Sequence, residues 1–140
     1  PNNKEYNFRL GVAEVWGKNP ERGLVYIQKS IDEGFNEAEV YIAKGEALMF
    51  LGQCDKAAAN FRLALSLKPK LFDGVLRMGM LCEVEDKLEE AKYWLEQAIE
   101  LNPESPDAHT YLGLIFQKLK EEKKAQFEFD EGKRLVDLTN

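Results

Sequence analysis

The sequence predicts an all-α fold built from four helix-turn-helix repeats. Glycine recurs every 34 residues inside stretches that otherwise have helical apolar spacing, and other columns of small or bulky residues recur at the same period. A glycine inside a helix costs about 1 kcal/mol relative to alanine, so four at one spacing indicate a repeated packing requirement. These glycines are Gly11, Gly45, Gly79 and Gly113.

The period divides the chain without gaps into repeats 4–37, 38–71, 72–105 and 106–139, which we expect to form a single domain over 1–140. Glycine holds position 8 of each repeat, small residues hold positions 20 and 27, and bulky apolar residues hold position 24. Position 20 is Gly23, Ala57, Ala91 and Ala125; position 24 is Ile27, Phe61, Leu95 and Phe129; position 27 is Ser30, Ala64, Ala98 and Gly132.

Local signals mark where the helices begin and end. In repeat one, Asn19 is the expected N-cap, and Pro20 follows it just before the second helix. Gly52 marks the turn inside repeat two, and Ser105 with Pro106 begins repeat four in the same way as Asn19 with Pro20. With helical apolar spacing elsewhere, the eight predicted helices span 4–16, 21–33, 37–51, 55–67, 71–84, 88–101, 105–119 and 122–138.

Composition excludes several classes of partner. The 19 basic and 25 acidic side chains give a net charge of −6, which disfavours nucleic acid as a ligand. No apolar run approaches the roughly 20 residues of a membrane span. Cys54 and Cys82 are expected to be buried thiols, which favours a reducing compartment such as the cytoplasm. The chain begins at Pro1 without methionine, which is typical of a piece of a longer protein.

These columns resemble the tetratricopeptide-repeat family, whose 34-residue units follow the pattern W-x₂-L-G-x₂-Y…A-x₃-F…P. The resemblance covers residues 4–137 and is poorest in repeat one, where Asn7 and Glu14 replace aromatic residues. It implies a right-handed superhelical solenoid with a concave binding surface. The matching residues are Tyr41, Gly45, Leu48, Ala57, Phe61 and Pro69 in repeat two, Met78, Gly79, Ala91, Leu95 and Pro103 in repeat three, and His109, Leu112, Gly113, Phe116, Ala125 and Phe129 in repeat four.

The small residues are expected to let paired helices approach closely. Each repeat has a first helix, A, and a second helix, B. We expect the glycine at position 8 of helix A to face the small residue at position 20 of helix B, which brings the two backbones together. The small residue at position 27 is expected to allow a similarly close approach between helix B and helix A of the next repeat.

No catalytic site, cofactor or metal site is predicted, and we expect the protein not to be an enzyme. His109 is the only histidine and falls on a helix-packing position, as does Cys82. Cys54 has only Lys56 nearby to activate it. No phosphate-binding glycine loop and no metal-ligand spacing occur in the sequence.

The resemblance places a binding wall on the A helices, at positions 2, 5, 6, 9, 12 and 13 of each repeat. The wall is rich in apolar residues and has six acidic against three basic residues, which favours a peptide or helix with apolar anchors and some basic character. Arg9 and Arg77 would orient acidic or carbonyl groups of that ligand. The alternative is that some wall residues only pack within the solenoid. The candidate peptide-binding residues are Phe8, Arg9, Val12, Trp16, Ile42, Met49, Phe50, Leu76, Arg77, Met80, Tyr111 and Leu114, and the acidic wall residues are Glu5, Glu39, Glu46, Asp73, Glu83 and Asp107.

Some members of this family bind the C-terminal carboxylate of a chaperone through lysines, asparagines and an arginine on three successive repeats. From repeat one the corresponding positions read Phe8, Val12, Ala43, Asp73 and Arg77, and from repeat two they read Ile42, Glu46, Arg77, Asp107 and Tyr111. One arginine does not make such a clamp, so we do not expect this role.

The predicted function is therefore a non-catalytic protein-interaction scaffold that binds its partner in the concave groove. Two alternatives remain open. The chain could be a self-assembling or spacer module, or a regulatory domain of a larger protein. Apolar residues near the C-terminus offer a surface for self-association: Phe127, Leu135, Val136 and Leu138.

Overall fold

The structure, a computed structural model, describes residues 3–140 of the chain. These residues form eight α-helices and no strand, and every helix end lies within one residue of its predicted position. The all-α prediction is confirmed. The helices are α1 (Lys4–Trp16), α2 (Pro20–Asp32), α3 (Ala38–Phe50), α4 (Cys54–Leu67), α5 (Phe72–Val84), α6 (Leu88–Leu101), α7 (Pro106–Lys118) and α8 (Glu122–Thr139).

The chain falls into two compact units, which we call the N-terminal unit (Pro1–Gly74) and the C-terminal unit (Val75–Asn140). The first contains α1 to α4 and the beginning of α5, and the second contains the remainder of α5 together with α6, α7 and α8. The boundary falls inside α5, so it does not follow the 34-residue period. The division into four repeats within a single domain stays a prediction.

The turn between helices A and B has the same backbone in all four repeats. Its third residue after helix A donates a hydrogen bond to the carbonyl oxygen five residues earlier, as Gln53 does to Leu48 at 2.9 Å. The residue before it adopts a positive φ in each repeat, so the predicted turn at Gly52 is confirmed. These residues are Lys18 (69°), Gly52 (78°), Asp86 (59°) and Lys120 (61°).

The glycines at position 8 lie against helix B of the same repeat, but their neighbour is not the predicted one. A Cβ atom added to Gly79 would lie 2.8 Å from Leu95 Cγ, and one added to Gly113 would lie 2.7 Å from Phe129 Cδ1. At Gly11 the added Cβ would also lie 2.9 Å from the carbonyl oxygen of Gly23, which is the close contact predicted with position 20. Positions 20 and 24 are one helical turn apart on one face of helix B, and the larger side chain fills the space above the glycine.

At position 27, two small residues contact helix A of their own repeat, and the close approach to the next helix A stays a prediction. The Ser30 hydroxyl donates to the carbonyl oxygen of Lys4 at 2.7 Å, and a Cβ added to Gly132 would lie 3.3 Å from the carbonyl oxygen of Pro106. Both partners begin helix A of the same repeat rather than the next one. This follows from the antiparallel pairing of helices A and B, which sets the end of B beside the start of A.

The two predicted N-caps behave differently. The Ser105 hydroxyl accepts a hydrogen bond from the Ala108 N–H at 3.2 Å, as expected for a cap before Pro106. Asn19 occupies the N-cap position before Pro20, but its side chain makes no cap hydrogen bond. Its ψ of 65° departs from the extended backbone that a side-chain cap requires, so capping by its side chain was wrongly predicted.

Candidate functional site

In the N-terminal unit, predicted wall residues from α1, α3 and α5 surround one cavity of about 160 Å³. Eight of its nine lining residues belong to the predicted wall, and the ninth is Leu71. They lie together because residues three, four and seven apart on a helix share one face. The eight are Phe8, Val12, Trp16, Glu39, Ile42, Ala43, Glu46 and Asp73.

Trp16 and Phe50 are the exposed apolar part of this wall. They occupy position 13 of successive repeats, their ring centroids are 6.2 Å apart, and the ring planes meet at 75°. Their side chains are 60% and 52% exposed, which is unusual for residues of this size. A second cavity of about 370 Å³ lies beside them and is also lined by Val15, Lys18 and Pro20. Trp16 therefore contributes to both cavities.

Other apolar wall residues belong partly or wholly to the core. Phe8 stacks on Phe35 with ring centroids 5.1 Å apart, and both Phe8 and Val12 pack against the buried core cluster that contains Val15. Ile42 is buried while lining the cavity, so it forms part of its floor. Met49 is half-buried. For these residues, packing and ligand contact are compatible roles.

The rim of the 160 Å³ cavity is acidic. Glu39, Glu46 and Asp73 line it, and Glu46 is itself buried. Lys68 donates a hydrogen bond of 2.6 Å to Glu39. This bond, and a second one from the backbone N–H of Glu39, hold the pKa of the Glu39 carboxyl below its ordinary value. The bond to Glu39 also raises the pKa of Lys68. Arg9 is exposed on α1, away from the cavity lining.

The apolar wall residues of the C-terminal unit differ in burial, and Val84, at the same repeat position as Trp16 and Phe50, is 61% exposed. Leu76 is buried, while Met80, Tyr111 and Leu114 are half-buried. The Arg77 guanidinium lies 3.4 Å from the Met80 sulfur. Burial raises the pKa of the Tyr111 phenol, an effect that the charge of Asp107 reinforces and that of Arg77 opposes.

The acidic excess is smaller in this unit because only two of the six acidic wall residues, Glu83 and Asp107, belong to it. Lys118 donates a hydrogen bond of 2.7 Å to Glu83, and this bond raises the pKa of Lys118. The acidic character of the predicted wall therefore lies mainly in the N-terminal unit.

His109 has a structural position, as predicted. It is buried, with Nδ1 2.6 Å from the Glu128 carboxylate and Nε2 2.8 Å from the carbonyl oxygen of Pro103. At the same position of repeat one, Asn7 donates a hydrogen bond to Glu33. Position 4 thus links helix A to a glutamate on or next to helix B in both repeats.

Neither cysteine forms a disulfide, and the two differ in burial. Cys82 is buried, as expected, whereas Cys54 is half-buried at the start of α4. Within residues 3–140, no three histidine, cysteine or acidic side chains are grouped to hold a metal ion. Across the same described residues, no helix has the length and hydropathy needed to cross a membrane.

Sequence reasoning missed an apolar column on the outer side of the B helices. Position 22 is Val25, Ala59, Tyr93 and Phe127 in successive repeats, and all four side chains are exposed. The recurrence of an apolar residue at this position was the available signal. Near the C-terminus, Phe127, Val136 and Leu138 are exposed and Leu135 is buried, so self-association stays a prediction.

Comparison with known proteins identifies two repeats directly. A model described as "Tetratricopeptide repeat" matches residues 38–71, and one described as "TPR repeat" matches residues 85–120. Together these ranges cover half of the chain. The photosystem I assembly protein Ycf3 of Acaryochloris marina is 30% identical over 110 residues, which are 76% of this chain and 66% of that protein. The chain thus spans just under two thirds of this relative's length.

Solved structures show the same fold at low identity. MamA from Desulfovibrio magneticus RS-1 is 19% identical, with a TM-score of 0.83 over 99% of this chain and 78% of that one. YrrB, described as a TPR protein with an unusual peptide-binding site, is 19% identical, with a TM-score of 0.76 over 96% of this chain and 69% of that one. These likenesses extend along nearly the whole chain and show an all-α helical-repeat solenoid.

Proposed function

We propose that the chain, which belongs to the tetratricopeptide-repeat family, is a non-catalytic scaffold that binds a peptide or helical segment of a partner protein. Proteins of this family are generally interaction scaffolds, and their stacked helices present extended binding surfaces. The binding site that we propose is the wall formed by helix A of successive repeats, with its main anchor points on α1 and α3.

One observation carries this proposal. An exposed tryptophan and an exposed phenylalanine stand side by side at Trp16 and Phe50, next to two cavities. Large aromatic residues that remain exposed in a folded protein, with space beside them, are typical of interaction hot spots. An apolar ligand side chain inserted there would be covered by both rings.

The charges specify the ligand further. Asp73 and Glu46 line the cavity, and Asp73 makes no ion pair within the described part of the chain. A lysine or arginine that follows the apolar anchor of the ligand would complement this rim. Arg9, which is exposed on α1 of the same unit, would then contact carbonyl or acidic groups elsewhere along the segment.

A role in assembling a protein complex is part of the proposal. The relative from Acaryochloris marina is an assembly protein by name, and YrrB is described as having a peptide-binding site. Holding one segment of a partner while other subunits join requires a binding surface and no reaction. The exposed wall supports that kind of role.

Tryptophan fluorescence can test the site. The chain contains two tryptophans, so Trp94→Phe leaves Trp16 as the only emitter. The probe is a peptide selected from a random display library against the wild-type chain. We expect the selected peptides to combine an aromatic or branched aliphatic residue with lysine or arginine. Their binding should shift Trp16 emission to shorter wavelength, because it removes water from the indole. Phe50→Ala should weaken binding about tenfold or more.

The matched control is Tyr93→Ala, which removes a similarly exposed aromatic ring (58%) from α6, outside the wall. It should leave the affinity unchanged. Circular dichroism establishes that each variant is folded. Equal affinity of wild type and Phe50→Ala, or an unchanged Trp16 spectrum at saturation, would show that this wall is not the binding site.

A further inference from the structure

The N-terminal unit has a second groove on its outer side, which the proposed function does not use. Helices α2 and α4 both pack against α3, and a cavity of about 780 Å³ lies between them. This cavity is much larger than the 160 Å³ cavity of the wall. Since α2 and α4 have 13 and 14 residues, the groove has room for about 20 Å of a parallel or antiparallel helix.

The floor of the groove is apolar. It is lined by Leu24 and Val25 of α2, Leu48 of α3 and Ala59 of α4. Val25 is 65% exposed although it is β-branched and apolar, and Ala59 occupies the same position of the next repeat. An apolar stripe of this kind matches the face of an amphipathic helix, whose apolar residues recur three and four positions apart.

The rim of the groove is basic. Lys29, Lys44 and Lys56 line it, and no ion pair within residues 3–140 includes any of them. The lining also contains two acidic residues, Glu21 and Asp32, so the lysines exceed them by one. In a chain with a net charge of −6, this groove has an excess of positive charge.

The C-terminal unit contains a smaller groove of the same construction. A cavity of about 370 Å³ is lined by residues of α6, α7 and α8, among them Lys92, Lys123 and Lys124. Two of these lysines are already engaged, since Lys92 and Lys124 lie 3.9 and 3.6 Å from neighbouring glutamates. Of the two grooves, the one between α2 and α4 therefore has more lysines available to a ligand, three against Lys123 alone.

We propose that the groove between α2 and α4 is a second interaction site, whose ligand is an acidic amphipathic helix of a partner protein. Apolar side chains of that helix contact Leu24, Val25 and Ala59, and glutamates or aspartates on its flanks pair with Lys29, Lys44 and Lys56. The site differs from the wall in face, size and sign of charge. It does not depend on the wall being a binding site.

The test uses a synthetic probe peptide with leucine at helical spacing and glutamate on both flanks, and a second peptide with lysine in place of each glutamate. Binding is followed by fluorescence anisotropy of the labelled peptide and by amide chemical shifts of the ¹⁵N-labelled chain. The acidic peptide should move the amides of α2 and α4, and the lysine peptide should not. The triple variant Lys29→Glu, Lys44→Glu, Lys56→Glu should weaken binding of the acidic peptide by about tenfold or more.

The control variant Lys70→Glu, Lys120→Glu, Lys133→Glu changes the net charge by the same amount at exposed lysines outside the groove, and should leave the affinity near the wild-type value. Val25→Asp tests the floor and should also weaken binding, whereas Val136→Asp should not. The proposal is overturned if the acidic peptide does not bind, if its shifts map to Trp16 and Phe50, or if both triple variants have the same effect. It is also overturned if light scattering shows a second copy of the chain in the groove, lost with Val25→Asp.

Discussion

Gly45 shows why a helix-weakening residue recurs at one position. The nearest atoms to a Cβ added there all belong to the Phe61 ring, with Cδ1 at 2.7 Å, and Phe61 is completely buried. No side chain fits between the helices at this point without moving that ring. The intrinsic cost of glycine in a helix is about 1 kcal/mol, and closer contact of a fully buried aromatic residue offsets it.

We expect Gly45→Ala to destabilise the protein by about 1–2 kcal/mol, because the cost of overpacking exceeds the gain in helix propensity. Gly79→Ala should cost less, since its neighbour is the flexible end of Leu95 rather than a rigid ring. Urea unfolding measures both. Combining Gly45→Ala with Phe61→Leu should cost less than the sum of the two changes, and strict additivity would contradict the contact.

The pair of Glu39 and Lys68 predicts a dependence of stability on pH. The pKa of Glu39 is lowered in the folded chain, so its contribution is present above the ordinary glutamate pKa of about 4.3 and is lost as the pH falls through the lower folded value. The difference in unfolding free energy between wild type and Lys68→Met should therefore shrink from neutral to acidic pH. In a Glu39→Gln background, Lys68→Met should have little effect at any pH. A pH-independent difference would show that the pair contributes nothing.

At the level of elements, the sequence predicts helix ends better than turn conformations. Proline restricts the backbone at Pro20 and Pro106, whereas glycine permits the positive φ at Gly52, and these signals locate the helix boundaries. By contrast, nothing in the residue type marks Lys18 or Lys120 as left-handed. Those conformations arise from the hydrogen bonds that close each turn.

The positive φ in the turn between helices A and B predicts that removing a glycine there lowers stability and that adding one raises it. A side chain in the left-handed region costs about 1–2 kcal/mol, so Gly52→Ala should destabilise by about 1 kcal/mol. Lys120→Gly should stabilise by up to about 1 kcal/mol, because it relieves the same strain at the equivalent position. Thermal unfolding of both variants checks this. If both changes destabilise the protein, the positive φ shared by the two positions does not determine how glycine affects stability there.

The residues of the proposed wall could be predicted in part, for a physical reason. The repeat period assigns residues to a face, so the sequence predicts eight of the nine residues around the 160 Å³ cavity, all except Leu71. The period does not determine burial, and Leu76 is buried whereas Phe50 is exposed. Nor does it determine which of two residues one turn apart opposes a glycine, or how wide a space remains between α2 and α4.

For the whole molecule, the contacts within each compact unit are short in sequence. In the N-terminal unit α2 packs against α1 and α3, and α3 against α4, while in the C-terminal unit α7 packs against α6 and α8. Stability in such arrays is approximately a sum of terms from each repeat and its neighbours. A defect in one repeat should therefore be felt mainly in that repeat and in those next to it.

Phe61→Ala tests this locality. Phe61 is completely buried on α4, and its loss should cost about 3–5 kcal/mol. We expect native-state hydrogen exchange to accelerate most in α3 and α4 and least in α7 and α8, since the latter contact helices remote from the cavity in sequence. Leu95→Ala, which empties the same position of repeat three, should give a pattern centred on α6 instead. If both variants accelerate exchange equally in every helix, the chain unfolds as one cooperative body and the repeats are not energetically separable.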